Sequence, residues 1–147
     1  MKKPTQKKNK VVDMRFAKGA EYKAVLSAIK KEGGCPFCPS NFKYHKHSIL
    51  KRAHDWFISR SSWPYENAKH HFILLKVLHK EHIEELSYDD MKCVLALTQW
   101  AVKEFGIKGG ALAMRFGDTT YTGATVCHLH FHFIVPKKGR TVNFPIG

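Results

Sequence analysis

Hydrophobic and polar residues alternate most regularly near the end of the chain, where Cys127–Val135 reads Cys-His-Leu-His-Phe-His-Phe-Ile-Val. Period two belongs to a strand, whose successive side chains point to opposite faces. His128, His130 and His132 therefore share one face, while Leu129, Phe131 and Phe133 share the other and point to a core. Gly19–Glu32 places Tyr22, Val25, Leu26 and Ile29 at helical spacing and stops at Gly33-Gly34. Ser48–Lys51 and Asp55–Arg60 predict two short strands, and His71–Val77 is apolar enough for a central one. Ser87 then caps a helix running to about Phe105, with Met91, Val94, Leu95, Val102 and Phe105 as its apolar face. Ala111–Phe116 predicts another strand and Gly117–Thr125 a Gly/Thr-rich loop. The pattern is that of an α+β domain, about five strands with two main helices.

Composition changes this picture mainly through charge. The 147 residues suffice for one domain with its own core, and 44% hydrophobic with 25% charged is ordinary for a soluble protein. The net charge of +13 is uneven: Lys2, Lys3, Lys7, Lys8, Lys10, Arg15 and Lys18 crowd the start against Asp13 alone. Residues 1–18 are expected to be a basic, disordered tail and residues 19–147 a single domain. Such a tail also suits electrostatic attraction to nucleic acid, and the positive body suits a phosphate-rich substrate. No apolar stretch reaches membrane-spanning length, and the lysine-rich start lacks the apolar segment of a secretory signal. A cytoplasmic protein is expected, with its four cysteines as thiols or metal ligands.

A hydrophobic strand with imidazoles along a whole face is costly to fold unless the rings have partners. Two chemistries account for it. All three histidines ligate one catalytic metal, or the middle one is a nucleophile for phosphoryl transfer, flanked by rings that orient it and bind phosphate. Thr122-Gly123-Ala124-Thr125 leads into the strand with small residues only, which lets backbone N–H groups approach a phosphate closely and adds the Thr125 hydroxyl as a donor. Cys35-Pro36-Phe37-Cys38 is a separate metal-binding signature. Its two further ligands are either the nearby His45 and His47, as a local finger, or the distant His82 and His128, which would staple the knuckle to the sheet.

Thr122-Gly-Ala-Thr-Val-Cys-His-Leu-His-Phe-His-Phe133 resembles the signature of the histidine-triad superfamily of nucleotide hydrolases and transferases. Other pieces fall in that family's order: the cysteine knuckle, Trp63-Pro64-Tyr65, His70-His71-Phe-Ile-Leu-Leu75, Lys80-Glu-His82-Ile-Glu-Glu-Leu86, and the tail Val135-Pro-Lys to Thr141-Val-Asn-Phe-Pro145. The last is similar to the diadenosine tetraphosphate phosphorylase-like branch. The resemblance covers roughly residues 33–147 and implies a histidine-triad-like fold, a nucleotide or dinucleoside polyphosphate substrate, structural zinc and a homodimer. It implies His130 as nucleophile, His132 on the phosphate and leaving group, and His128 as the orienting or zinc-binding residue. Zinc would then be held by Cys35, Cys38, His82 and His128. Substrate contacts would come from Thr125, Gly123 and Ala124, from Ser61 or Ser62 at the ribose, and from Phe57 and His71 beside the base. Keeping His132, where uridylyltransferase relatives have glutamine, points to a hydrolase or phosphorylase. Removal of adenylate from nucleic-acid ends is the alternative activity, and a zinc-stapled nucleic-acid-binding module without turnover the alternative class.

Overall fold

A computed structural model describes residues 12–147. Five antiparallel strands form one sheet: β1 (Ile49–Ala53), β2 (Trp56–Arg60), β3 (Ala68–Lys76), β4 (Ala111–Met114) and β5 (His130–Pro136), in the order β1-β2-β3-β5-β4. The main helices are α1 (Ala20–Glu32) and α2 (Tyr88–Glu104), and a single turn, α3 (Thr119–Thr122), lies in the loop before β5. The α+β class, the strand count and both main helices stand as the sequence predicts.

Period-two alternation sorts the sheet into two faces. Trp56, Ile58, Phe72, Leu74, Phe131 and Phe133 meet Val94, Leu97 and Ala101 of α2 in the main core. The pairing of Ile73 with His132 and of Leu75 with His130 puts the histidines on the opposite face. The α2 stripe is rotated from the one expected: Asp90, Cys93, Val94, Leu97 and Ala101 are buried, whereas Met91, Leu95 and Val102 face outward. Asp90 explains why a carboxylate sits in that stripe. It closes a capping box with Ser87 and also accepts from the Trp56 indole at 2.9 Å and from the Lys76 ammonium. That buried ammonium and the Ser87 backbone hold its carboxyl well below the usual carboxylate range, against the burial that would raise it.

The N-terminal boundary differs from the expected one. Val12 bridges Val126, Asp13 is fully buried, and Met14–Phe16 forms a 3-10 turn, so residues 12–18 belong to the fold. Asp13 is anchored through its carboxylate, which accepts from the Thr119 hydroxyl at 2.6 Å and from Arg15. Residues 1–11, the rest of the expected tail, lie outside the described residues. No helix among the described residues is long and apolar enough to cross a membrane.

Candidate active site and metal centre

The histidine strand is shorter than the alternation suggests. β5 begins at His130, and His128 precedes it, because the Leu129 amide bonds Lys80 and Val126 turns toward Val12. His128 nevertheless stays buried beside His130 and His132. Hydrogen bonds to backbone carbonyls decide the tautomers, since a carbonyl only accepts. His130 donates its Nδ1–H to the His128 carbonyl at 2.7 Å, which leaves Nε2 as a bare lone pair. His128 donates Nε2–H to the Lys76 carbonyl at 2.8 Å, leaving Nδ1 bare and directed at the cysteines. A third chain starts at Tyr65, whose amide donates to His71 Nδ1 at 3.1 Å. His71 must then donate Nε2–H to His132 Nδ1 at 2.8 Å, so the proton of neutral His132 is on Nε2.

Burial keeps these rings neutral. It pushes His71 and His130 down to about 4 from an ordinary 6.5, and Arg115 nearby adds to the shift in both. His132 falls well below its ordinary value, mainly through burial and then through its neighbours His130, His71 and Arg115. Phe37, from between the knuckle cysteines, sets its ring edge against His130 with centroids 4.7 Å apart.

His130 and His132 face a cavity of about 810 Å³ walled by α1, the knuckle, the turn after β2 and the loop before β5. Of the expected substrate contacts, Gly123, Ala124, Thr125, Ser61, Ser62 and His71 line it. The Thr125 hydroxyl shares a 2.5 Å hydrogen bond with Tyr22, and its carbonyl accepts from Asp13 at 2.8 Å, so the loop is braced by the N-terminal segment. Gly123 matters for space: a Cβ there would come within 2.7 Å of the Gly147 carbonyl oxygen. Phe57 does not reach the cavity. It is fully buried under Phe42, from the turn before β1, a contact that the local pattern does not reveal. His71, at the cavity wall, also orients His132 through its hydrogen bond to Nδ1. Tyr65, of the Trp63-Pro64-Tyr65 stretch, also lines the cavity, as do Tyr22, Phe37 and Arg115, which were not expected there. Arg115 was legible: two residues beyond Ala113, which pairs with His132, it falls on the histidine face.

The metal cluster corrects one expected ligand. Cys35, Cys38, His79 and His128 bring four donor atoms within 4.8 Å of one another. His82 instead caps the 3-10 turn Ile83–Glu85, and it is His79, three residues closer to the end of β3, that reaches Cys38 at 3.5 Å. The local finger is not formed: His45 bonds the Pro36 carbonyl through Nε2 at 3.0 Å and stacks on Phe42. The donor set suits zinc, two sulfurs and two imidazoles in a closed arrangement. His128 presents its bare Nδ1 3.3 Å from Cys35 Sγ, and His79 has Glu81 on its other nitrogen at 3.0 Å, the outer partner a ligating imidazole takes. Burial raises the Cys35 thiol to about 12, so an ionised sulfur there calls for a cation beside it.

No protein-family profile matches the chain, and no curated protein matches it. Solved structures do. A histidine triad nucleotide-binding protein from Candida albicans is 18% identical over 78% of this chain and 82% of its own, with a TM-score of 0.60. A zinc-bound histidine triad family protein from Mycobacterium smegmatis is 17% identical, covering 78% and 83%, at 0.58. A HIT family hydrolase from Clostridium thermocellum is 20% identical, covering 74% and 95%, at 0.55. The fold of this chain is therefore the histidine-triad fold.

The depressed imidazoles set a pH dependence of stability. In the unfolded chain they take protons below about 6.5, while His71 and His130 in the fold resist until about 4. Stability is thus fully present above pH 6.5 and falls as pH drops toward 4. Thermal unfolding followed by circular dichroism across that window is expected to show a steadily falling midpoint.

Proposed function

We propose that this chain is a histidine-triad nucleotide hydrolase or phosphorylase that cleaves at the α-phosphate of a dinucleoside polyphosphate or nucleotidyl conjugate through His130. The observation that carries the reading is the tautomer of His130: Nδ1–H is anchored on the His128 carbonyl, and the bare Nε2 belongs to a ring on the cavity wall. That lone pair forms the N–P bond while the P–O bond to the leaving group breaks and the leaving group departs with the electron pair. Water or inorganic phosphate then attacks the same phosphorus and returns the imidazole. A neutral ring is needed, and burial supplies it at physiological pH. His132 offers its Nε2–H to the phosphate or the departing oxygen. The tri-histidine metal alternative is disfavoured because His128 directs its free nitrogen at the cysteines and His132 spends Nδ1 on His71.

Bound at Cys35, Cys38, His79 and His128, zinc would be a structural cross-link between the knuckle and the strand lead-in. A homodimer fits the edge of β4 that no strand covers among the described residues, with Leu112 exposed on that strand, and the outward apolar residues Leu95 and Met91 of α2. Adenylated nucleic-acid ends are a second substrate reading, favoured by one observation: the basic segment joins the fold at Val12, a single bridge from the loop before β5.

Product analysis with diadenosine tetraphosphate tests the activity. AMP and ATP with or without phosphate mean hydrolysis, and ADP only with phosphate means phosphorolysis. His130→Ala is expected to reduce turnover by at least about 1,000-fold with the fold intact; near-normal turnover would remove the nucleophile. Metal analysis is expected to find one zinc per chain, and Cys35→Ser to lower the melting midpoint by roughly 10 °C. Sedimentation is expected to give twice the chain mass, and Leu95→Glu a monomer.

A further inference from the structure

Two N–H groups converge on the histidine face of the cavity. His132 carries its proton on Nε2, because its Nδ1 is taken by the His71 donor. Arg115 Nη1 lies 3.5 Å from that same Nε2. Neither group can accept from the other, so the approach is not a hydrogen bond between them. It is the geometry of two donors around one shared acceptor.

Arg115 is held to that position from its other sides. Its Nε and Nη2 donate to the Pro145 carbonyl at 2.9 and 2.5 Å, and Nη2 also reaches the Tyr65 hydroxyl at 3.1 Å. The guanidinium lies 3.8 Å over the Phe144 ring, which in turn sets its edge against His132. Among the described residues its hydrogen-bond acceptors are a carbonyl and a phenol, not a carboxylate. His132 is otherwise surrounded by the rings of Tyr65, His71, His130 and Phe144, so the permanent positive charge against it is Arg115's. A cation whose charge is not neutralised by its neighbours, in a partly dry wall, favours an anion strongly.

We propose that Arg115 and His132 together hold an anionic oxygen of the leaving group, which makes Arg115 the residue selecting substrates whose leaving group carries phosphate. The inference rests on the reading of His130 as nucleophile: the bond broken is then the one trans to the His130 attack, and the departing oxygens lie toward His132. A neutral donor at position 115 would serve an uncharged leaving group equally well. An arginine favours a chain of phosphates, whose charge grows on the departing group as the P–O bond breaks.

The test compares two substrates and two variants. With diadenosine tetraphosphate the leaving group is a nucleoside triphosphate; with adenosine 5′-phosphoramidate it is ammonia. Arg115→Met is expected to shrink the kcat/KM preference for the tetraphosphate over the phosphoramidate by about 50-fold, and Arg115→Lys to restore part of it. An unchanged preference, with both substrates losing equally, would overturn the assignment and leave Arg115 a packing residue. Arg115→Gln replaces the methionine variant should that one fail to fold. Calorimetry with inorganic tripolyphosphate reads the same contact without turnover. Binding weakened about ten-fold or more in Arg115→Met supports the assignment, and equal affinity sinks it. Because tripolyphosphate needs no nucleophile, a His130→Ala protein that kept full turnover would end the proposed mechanism without touching this result.

Discussion

The antiparallel pairing of β3 with β5 is the constraint on which the site depends. Its register sets Ile73 opposite His132 and Leu75 opposite His130, and it brings His71 within 2.8 Å of His132. A slip of one residue would turn Phe131 and Phe133 toward the cavity and bury the histidines against α2. The pairing is protected from that slip by what each face wants. One is filled by the aromatic and aliphatic side chains that meet α2, and the other ends in donors and acceptors that only the observed register can satisfy. Packing and polar satisfaction therefore specify the same alignment.

The chemistry comes less from the number of histidines than from the carbonyls and amides that fix their protons. His130, His128 and His132 occupy one row, yet each is set to a different task. The His128 carbonyl holds His130, the Lys76 carbonyl holds His128, and the Tyr65 amide acts on His132 through His71. Three identical side chains thus become a lone pair toward the cavity, a lone pair toward the cysteines and a donor toward Arg115.

Much of this was legible in the chain. Alternation over residues 127–135 gave the histidine face, Ser87 gave the start of α2, and the small residues 122–125 gave the loop on the cavity wall. What escaped depends on contacts between distant segments. Phe57 has the right parity for the histidine face, but Phe42 covers it. His82 was expected from the resemblance, and it is the turn after β3 that brings His79 to Cys38 instead. Residues 12–18 look like more of the basic tail until Asp13 meets Thr119, more than a hundred residues away. The outward row Met91, Leu95 and Val102 shows the same limit: apolar periodicity marks a stripe, and the buried Asp90 shows where the stripe is centred.

Lys76 joins two of these parts in a way neither shows alone. Its ammonium is the counter-charge of Asp90 at the start of α2, while its carbonyl is the acceptor that holds His128 toward the cysteines. A fluctuation that lifts the end of β3 therefore unfastens a helix cap and the knuckle in one event. The two regions are coupled through this one residue, and the amide protons of both are expected to exchange in step. The cysteine knuckle, although it lies in a loop, is thereby tied through His128 to the end of a central strand.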